Sequence, residues 1–156
     1  SMYKFLYIFF FIATSCNSNE SFVDTIQSEL QIISFDVVQK QLTIEQVLPE
    51  NLQILLTKWF NEKVKVNGFD GDMIFTISEY KQTTSLIRDG RRVDAYLSFI
   101  ISINKPEFSQ KKIIKGNVSS FGTLTGEFSL NEFEDIIHNA QSNLILRLSR
   151  ELQLNI

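Results

Sequence analysis

The chain has 156 residues, with 15 Lys+Arg against 18 Asp+Glu, a formal net charge of −3, one His, one Cys and one Trp. That length suits one domain with a core of its own, and the mildly acidic balance excludes the dominant basic face that nucleic acid selects. One cysteine and one histidine exclude an internal disulfide, a Cys/His zinc site and a Cys-His nucleophile.

Residues 2–16, MYKFLYIFFFIATSC, have the three parts of an export signal: Lys4, an apolar run from Phe5 to Ile12, and the small residues Ala13-Thr14-Ser15. The run falls short of the roughly 20 residues a membrane span needs. Ser1, ahead of Met2, reads as a cloning remnant. Cys16, directly after the small residues, resembles the lipobox of bacterial lipoproteins, in which the cysteine is lipidated and becomes the mature N-terminus. Ala13 stands where Leu is usual, which leaves cleavage after Ser15 by ordinary signal peptidase as a second route. Lipid on a lone exported cysteine caps a thiol that has no disulfide partner. Removal of residues 1–15 takes away Lys4 and no acid, leaving 14 basic residues against 18 acidic ones and a net charge of −4. Asn17 to about Asp24 is polar and aperiodic and reads as a short flexible tether. The expected organisation is an export signal over 1–15, lipidated cysteine and tether over 16–24, and a single domain over 25–156.

Ile33, Phe35 and Val37 alternate with Ser34 and Asp36, which predicts a half-buried first strand. A less regular stretch over residues 39–47 leads to Pro49, which fits the first turn of a helix because its missing N–H costs nothing there. Leu52, Leu55, Leu56, Trp59 and Phe60 recur at helical spacing, with Asn67-Gly68 as the expected stop. Three strands follow. Met73, Phe75 and Ile77 alternate in the first; Val93, Ala95, Leu97, Phe99, Ile101 and Ile103 form a longer alternating face that predicts an internal strand. Asp89-Gly90 between them is a hairpin signal. Residues 113–124 read as the last strand, where Gly116 and Gly122 suggest a bulge or a frayed edge. Ser129-Leu130-Asn131-Glu132 is a capping box, and it opens a helix whose apolar stripe is Phe133, Ile136, Ile137, Ala140, Leu144, Leu148 and Leu152. The fold class is α+β: two helices packed on a mostly antiparallel four-stranded sheet, in the order β-α-β-β-β-α.

The lipobox-like signal, the tether and this element order resemble the small envelope lipoproteins of Gram-negative bacteria. Among these are the lipopolysaccharide-assembly lipoprotein that plugs its outer-membrane barrel partner, and the auxiliary lipoproteins of ABC-type lipid transport. The chain is also similar to short lipoproteins with a Trp-containing first helix and a Gly-rich turn, here Leu56-Thr57-Lys58-Trp59 and Gly68-Phe69-Asp70-Gly71. The resemblance implies a membrane-anchored protein facing the periplasm. Asn17 lacks the aspartate that retains enteric lipoproteins at the inner membrane, which favours the outer one.

Catalytic signals are sparse. His138 falls with Asn131, Glu134, Asp135, Gln141 and Ser142 on the expected polar face of the last helix, and no nucleophile-elbow sequence surrounds Ser119 or Ser120. The Asn67-to-Asp72 turn carries two carboxylates without the spacing or closing Glu of a calcium loop. Neither GxGxxG nor GxxxxGK occurs, so no nucleotide cofactor is implied, and none of another kind either. A carboxylate-only enzyme site would have to be built from Asp70, Asp72 and Glu79, and their spacing does not demand one.

Two features remain as candidate contacts. Arg88, Arg91 and Arg92 surround a hairpin tip, where guanidinium forks suit an acidic partner or lipid headgroups. Lys111 and Lys112 would extend this patch only if they reached the same end, and an up-down meander sends them to the other. Trp59, Phe60 and Phe69, with Phe121 as a weaker instance, are candidates for an apolar groove between helices and sheet, although core packing explains them more cheaply, since aromatic residues at helical spacing are usually core. The expected function is a non-catalytic, lipid-anchored accessory or docking subunit of an envelope assembly; the alternative is a periplasmic carrier of a lipid or other apolar ligand.

Overall fold

A computed structural model of the chain describes residues 30–155. The export signal, Cys16 and the tether lie outside the described residues. The elements are β1 (Ile33–Phe35), β2 (Gln39–Ile44), α1 (Glu50–Lys63), β3 (Val64–Val66), β4 (Asp72–Ile87), β5 (Gly90–Lys105), a 3-10 turn (Pro106–Phe108), β6 (Gln110–Thr125) and α2 (Leu130–Asn155).

The main sheet has the order β2-β4-β5-β6, with β2 parallel to β4 and the other pairs antiparallel. The fold is therefore α+β, with two helices and a mostly antiparallel four-stranded sheet. Odd-numbered residues of β5 from Val93 to Ile101 are buried, as their alternation predicts, and β5 lies inside the sheet. The expected first strand is divided. Alternation runs on through Val37, but residues 36–38 bend, so Ile33–Phe35 pairs with β3 in a separate two-stranded parallel sheet. The stretch after the bend, with too little apolar contrast to stand out, is the strand that joins the main sheet.

α1 buries Leu52, Leu55, Leu56, Trp59 and Phe60, the residues picked by spacing. Pro49 precedes the first helical residue, and its carbonyl accepts from Gln53 N–H at 3.0 Å. The helix ends at Lys63, four residues before the expected Asn67 stop, because Val64 turns extended and enters β3. Its final carbonyls are satisfied from outside. Lys40 on β2 donates to Phe60 O at 2.7 Å and to Val64 O, and lies 4.8 Å from the Phe60 ring centroid. Burial, with the nearby Lys65 ammonium adding to it, lowers the Lys40 pKa.

The glycines of β6 make neither a bulge nor a frayed end. β6 pairs with β5 without interruption, and the register shift lies in β4 between Ile77 and Glu79. A Cβ on Gly116 would stand 2.6 Å from Phe99 Cζ, and one on Gly122 would stand 2.8 Å from Ile136 Cγ2. The missing side chains admit a core ring and a helix. At the hairpin the positive φ belongs to Asp89, at 61°, while a Cβ on Gly90 would collide with Leu124 O.

The N-terminus of α2 uses the expected cap: Glu132 N–H donates to Ser129 Oγ at 3.2 Å, and Phe133 N–H to Ser129 O at 3.1 Å. Phe128, before the cap, stacks on Phe133 at a centroid distance of 6.1 Å, a hydrophobic staple across the first turn. The inner face of α2 is less apolar than expected. Gln141 and Ser142 are buried, along with Ser149.

Candidate functional site

Both helices pack on one side of the sheet, and no described element covers the other. Register assigns this open face. Lys81 stands opposite Tyr96 and Thr83 opposite Asp94, and across the next pair Tyr96 faces Ser119 and Asp94 faces Phe121. Because neighbouring residues point to opposite faces of a strand, Thr76, Lys81, Thr83, Arg92, Asp94, Tyr96, Ser98, Ile100, Asn117, Ser119 and Phe121 share one surface. These residues are half-buried or exposed, whereas Met73, Phe75 and Ile77 of β4 and Val93 to Ile101 at odd positions of β5 are buried on the inner face.

Two ion pairs form on this surface, while Lys115, opposite Ile100, is exposed beside them. Lys81 Nζ lies 3.1 Å from Glu79 Oε1, and Arg92 Nε lies 3.0 Å from Asp94 Oδ1. The Arg92 guanidinium also stacks over Phe121, 4.1 Å from the ring centroid. Exposed pairs of this kind contribute little to stability, about 0–1 kcal/mol, but each neutralises its own two charges. Between them a pocket of about 370 Å³ is lined by Thr83, Tyr96, Ser119 and Ser120 as well as the charged residues, with Arg147 of α2 closing it from the β6 edge. Hydroxyls, a phenol and an aromatic ring give this surface mixed polarity. Sequence reasoning missed it because its residues come from three strands and a helix; the alternation of Thr, Ser and Tyr with the core positions was the available signal.

The arginines of the hairpin do not converge. Arg91 pairs with Leu86 and Leu124, and Arg92 with Ser85 and Thr123, so the two side chains leave opposite faces while Arg88 stays at the exposed tip. Arg91 donates to Gly90 O at 3.2 Å. Lys111 and Lys112 sit at the far end of the sheet, as the meander predicts.

The three residues expected to line a groove are likewise separated. Trp59 and Phe60 are in the core: Phe75 meets Trp59 edge-on at 5.7 Å and Phe60 at 6.0 Å, and stacks on Phe99 at 5.6 Å. Phe69 is fully exposed on the connection between β3 and β4. Phe121 lies on the opposite side of the sheet from the helices. The space between helices and sheet is filled by this aromatic cluster, so an apolar ligand there would have to displace it.

The residues considered for catalysis are engaged elsewhere. Asn51 Nδ2 donates to His138 Nε2 at 2.7 Å, tying α1 to α2. Ser120 Oγ donates to Ala140 O at 2.6 Å, while Ser119 lies on the open face. Asp72 begins β4 and Glu79 lies seven residues along it, about 23 Å away at strand rise. Among the described residues no three metal-ligating side chains of His, Cys, Asp or Glu cluster, and no helix is long and apolar enough to cross a membrane.

No family model matches the sequence, and no curated protein matches it. Solved structures do. A minor lipoprotein from Acinetobacter baumannii is 13% identical with a TM-score of 0.53, the match covering 76% of this chain and 94% of that one. Rare lipoprotein B from Shewanella oneidensis is 11% identical with a TM-score of 0.47, over 76% and 98% of the two chains. An uncharacterized lipoprotein B from Nitrosomonas europaea is 13% identical with a TM-score of 0.43, over 77% and 84%. The A. baumannii protein superposes well enough to establish a common fold. The fold is one that a bacterial lipoprotein also has.

Proposed function

We propose that the chain is a non-catalytic lipoprotein of the cell envelope, anchored through lipid on Cys16 and acting as an accessory subunit that docks a protein partner through the open face of its sheet. The observation that carries this reading is the one-sided layering. Three strands of 16 residues each, about 54 Å long at strand rise, present a continuous surface of mixed polarity with no covering layer among the described residues. A protein surface supplies both the hydrogen bonds and the apolar contacts such a face can use. In the lipoproteins the sequence resembles, one member seats in an outer-membrane barrel, a partner large enough for strands of this length. Asn17 after the anchor favours the outer membrane, and the periplasm is the compartment the domain faces.

The test is photocrosslinking in cells. A crosslinkable amino acid replaces Tyr96 or Asn117 on the open face, or Gln53 on the outward side of α1, and adducts are purified from membranes and identified by mass spectrometry. The expected result is one dominant protein adduct from positions 96 and 117, absent from position 53, and lost when Cys16→Ala removes the anchor. Adducts of equal yield from all three positions would refute docking through the face. A fourth crosslinkable position at Phe60 in the aromatic core that yielded lipid adducts, with no protein adduct from 96 or 117, would instead establish the carrier reading.

A further inference from the structure

Two aromatic side chains project from one end of the sheet. Phe69 is fully exposed on the 67–71 connection, and Phe108, at the end of the 3-10 turn between β5 and β6, is 63% exposed. The two connections are neighbours, because Asp72 pairs with Asn104 and a Cβ on Gly71 would touch Asn104 O and the Lys105 side chain. Lys105 also bridges to Asp36 at 2.6 Å, which brings the end of β1 to the same place. Single exposed phenylalanines need no explanation. Two at one end, with exposed Lys111 and Lys112 just beyond Phe108, form a distinct surface.

The chain enters the domain near this end. Gln31 precedes Asp36 by five residues, about 17 Å at strand rise, and its side-chain oxygen accepts from Gln153 Nε2 at 2.9 Å near the C-terminal end of α2. The β4–β5 tip with Arg88 lies at the opposite end, about 54 Å away along 16 residues of strand. The fourteen peptide units from Cys16 to Leu30 span at most about 50 Å. A bilayer at the phenylalanine end requires about a third of that length. A bilayer at the arginine tip requires most of it, run back along the sheet.

We infer that the end bearing Phe69 and Phe108 rests on the lipid surface, a reading that builds on the lipid anchor at Cys16. A lipid on a chain terminus confines a domain to a membrane without orienting it. Two apolar side chains at one end, entering the boundary between headgroups and acyl chains, fix the orientation. The driving term is apolar contact, since Lys65, Lys105, Lys111 and Lys112 are balanced at this end by Asp36, Asp70, Asp72 and Glu107. Lysines beside Phe108 keep their ammonium groups among the headgroups while their stems follow the ring. The strands then stand out from the membrane, the open face is presented sideways, and the hairpin tip lies away from the lipid.

The experiment uses the full-length protein purified from membranes and reconstituted into vesicles of phosphatidylethanolamine and phosphatidylglycerol. A fluorophore is attached at Phe69→Cys, Phe108→Cys or, as control, Arg88→Cys, and quenching by a nitroxide-headgroup lipid is measured alongside vesicle flotation. The expected result is at least threefold stronger quenching at positions 69 and 108 than at 88. Flotation with equal, weak quenching at all three positions overturns the orientation and leaves the anchor standing. Blue-shifted but unquenched labels at 69 and 108 show those side chains covered by protein, and also overturn it. Failure to float removes the anchor and the inference together.

Discussion

Gly116 and Phe99 give the sharpest test of how the two layers close. The Phe99 ring lies over Gly116, with Cζ 2.6 Å from where a Cβ would stand, and its other face stacks on Phe75 at 5.6 Å. Gly116 has no positive φ, so alanine meets no backbone strain. Its entropic effect on the unfolded chain favours folding by about 0.4–1 kcal/mol. Against this, the ring has nowhere to retreat except into Phe75, and overpacking a filled core costs about 1–3 kcal/mol. Gly116→Ala is therefore expected to be destabilising by about 1–2 kcal/mol. Phe99→Leu opens the space, and in that background Gly116→Ala is expected to be neutral or stabilising by up to about 0.5 kcal/mol, a coupling above about 1 kcal/mol. Urea unfolding followed by the emission of Trp59, fully buried in the same cluster, reports each variant. With a slope of about 2 kcal/mol per molar urea, the single glycine variant shifts the midpoint down by about 0.5–1 M. A stabilising Gly116→Ala with no coupling to Phe99 would refute the close approach and restore the frayed-edge reading.

Other consequences are as direct. Ser129→Ala removes the acceptor for Glu132 N–H and is expected to cost about 1 kcal/mol, read as a lower urea midpoint; an unchanged midpoint would mean that the staple alone holds the helix start. Lys40→Met removes the ammonium from the carbonyls of Phe60 and Val64 and is expected to cost about 1–2 kcal/mol, with hydrogen exchange at the end of α1 accelerated more than in α2. Burial raises the Tyr80 pKa above 10.0, with a hydrogen bond from Gln141 opposing it. The unfolded chain then loses this proton first, so the contribution is present below about pH 10 and is lost as pH rises through the folded value. Between about pH 9 and about pH 11 the wild type should lose more stability than Tyr80→Phe; parallel curves would exclude the linkage.

The helices were legible because their apolar residues repeat with one period and end in recognisable chemistry. α1 followed from Leu52 to Phe60, and the cap of α2 from Ser129. The divided first strand was not legible, since Ile33, Phe35 and Val37 keep alternating across a bend that depends on pairing with Val64–Val66. That partner is three residues long and carries no periodicity of its own. The inner face of α2 misled for a related reason: Gln141 is buried because Gln82, on β4, offers its side-chain oxygen at 3.2 Å. A partner 59 residues away is invisible to a helical wheel. At the candidate site, the hairpin tip was legible from Asp89-Gly90, but the period of two then sends Arg91 and Arg92 to opposite faces. The three aromatics read as a groove are separated because Trp59 and Phe60 pack on Phe75 of β4 while Phe69 sits in an exposed loop.

The sheet offers a partner two kinds of surface, its edges and its open face, and the residues distinguish them. An exposed edge recruits strands through unpaired backbone groups unless it is shortened or charged. β2, at one edge, is six residues long. β6, at the other, is long, but it begins with Lys111, Lys112 and Lys115 and has glycines at 116 and 122, where an added strand would find no side chain to pack on. Both edges are thus poor templates for strand addition. The open face differs: Lys81 and Arg92 are held in ion pairs within it, and Tyr96, Ile100 and Phe121 present ring and aliphatic surface between hydroxyls. Substituting a face residue with a large charge, as in Ser119→Arg, should therefore abolish partner capture while leaving the urea midpoint within about 0.5 kcal/mol of the wild type. A charge reversal at an edge position, Lys112→Glu, should leave capture intact. If Lys112→Glu abolished capture and Ser119→Arg did not, docking would run through the β6 edge, and the open face would have no role in it.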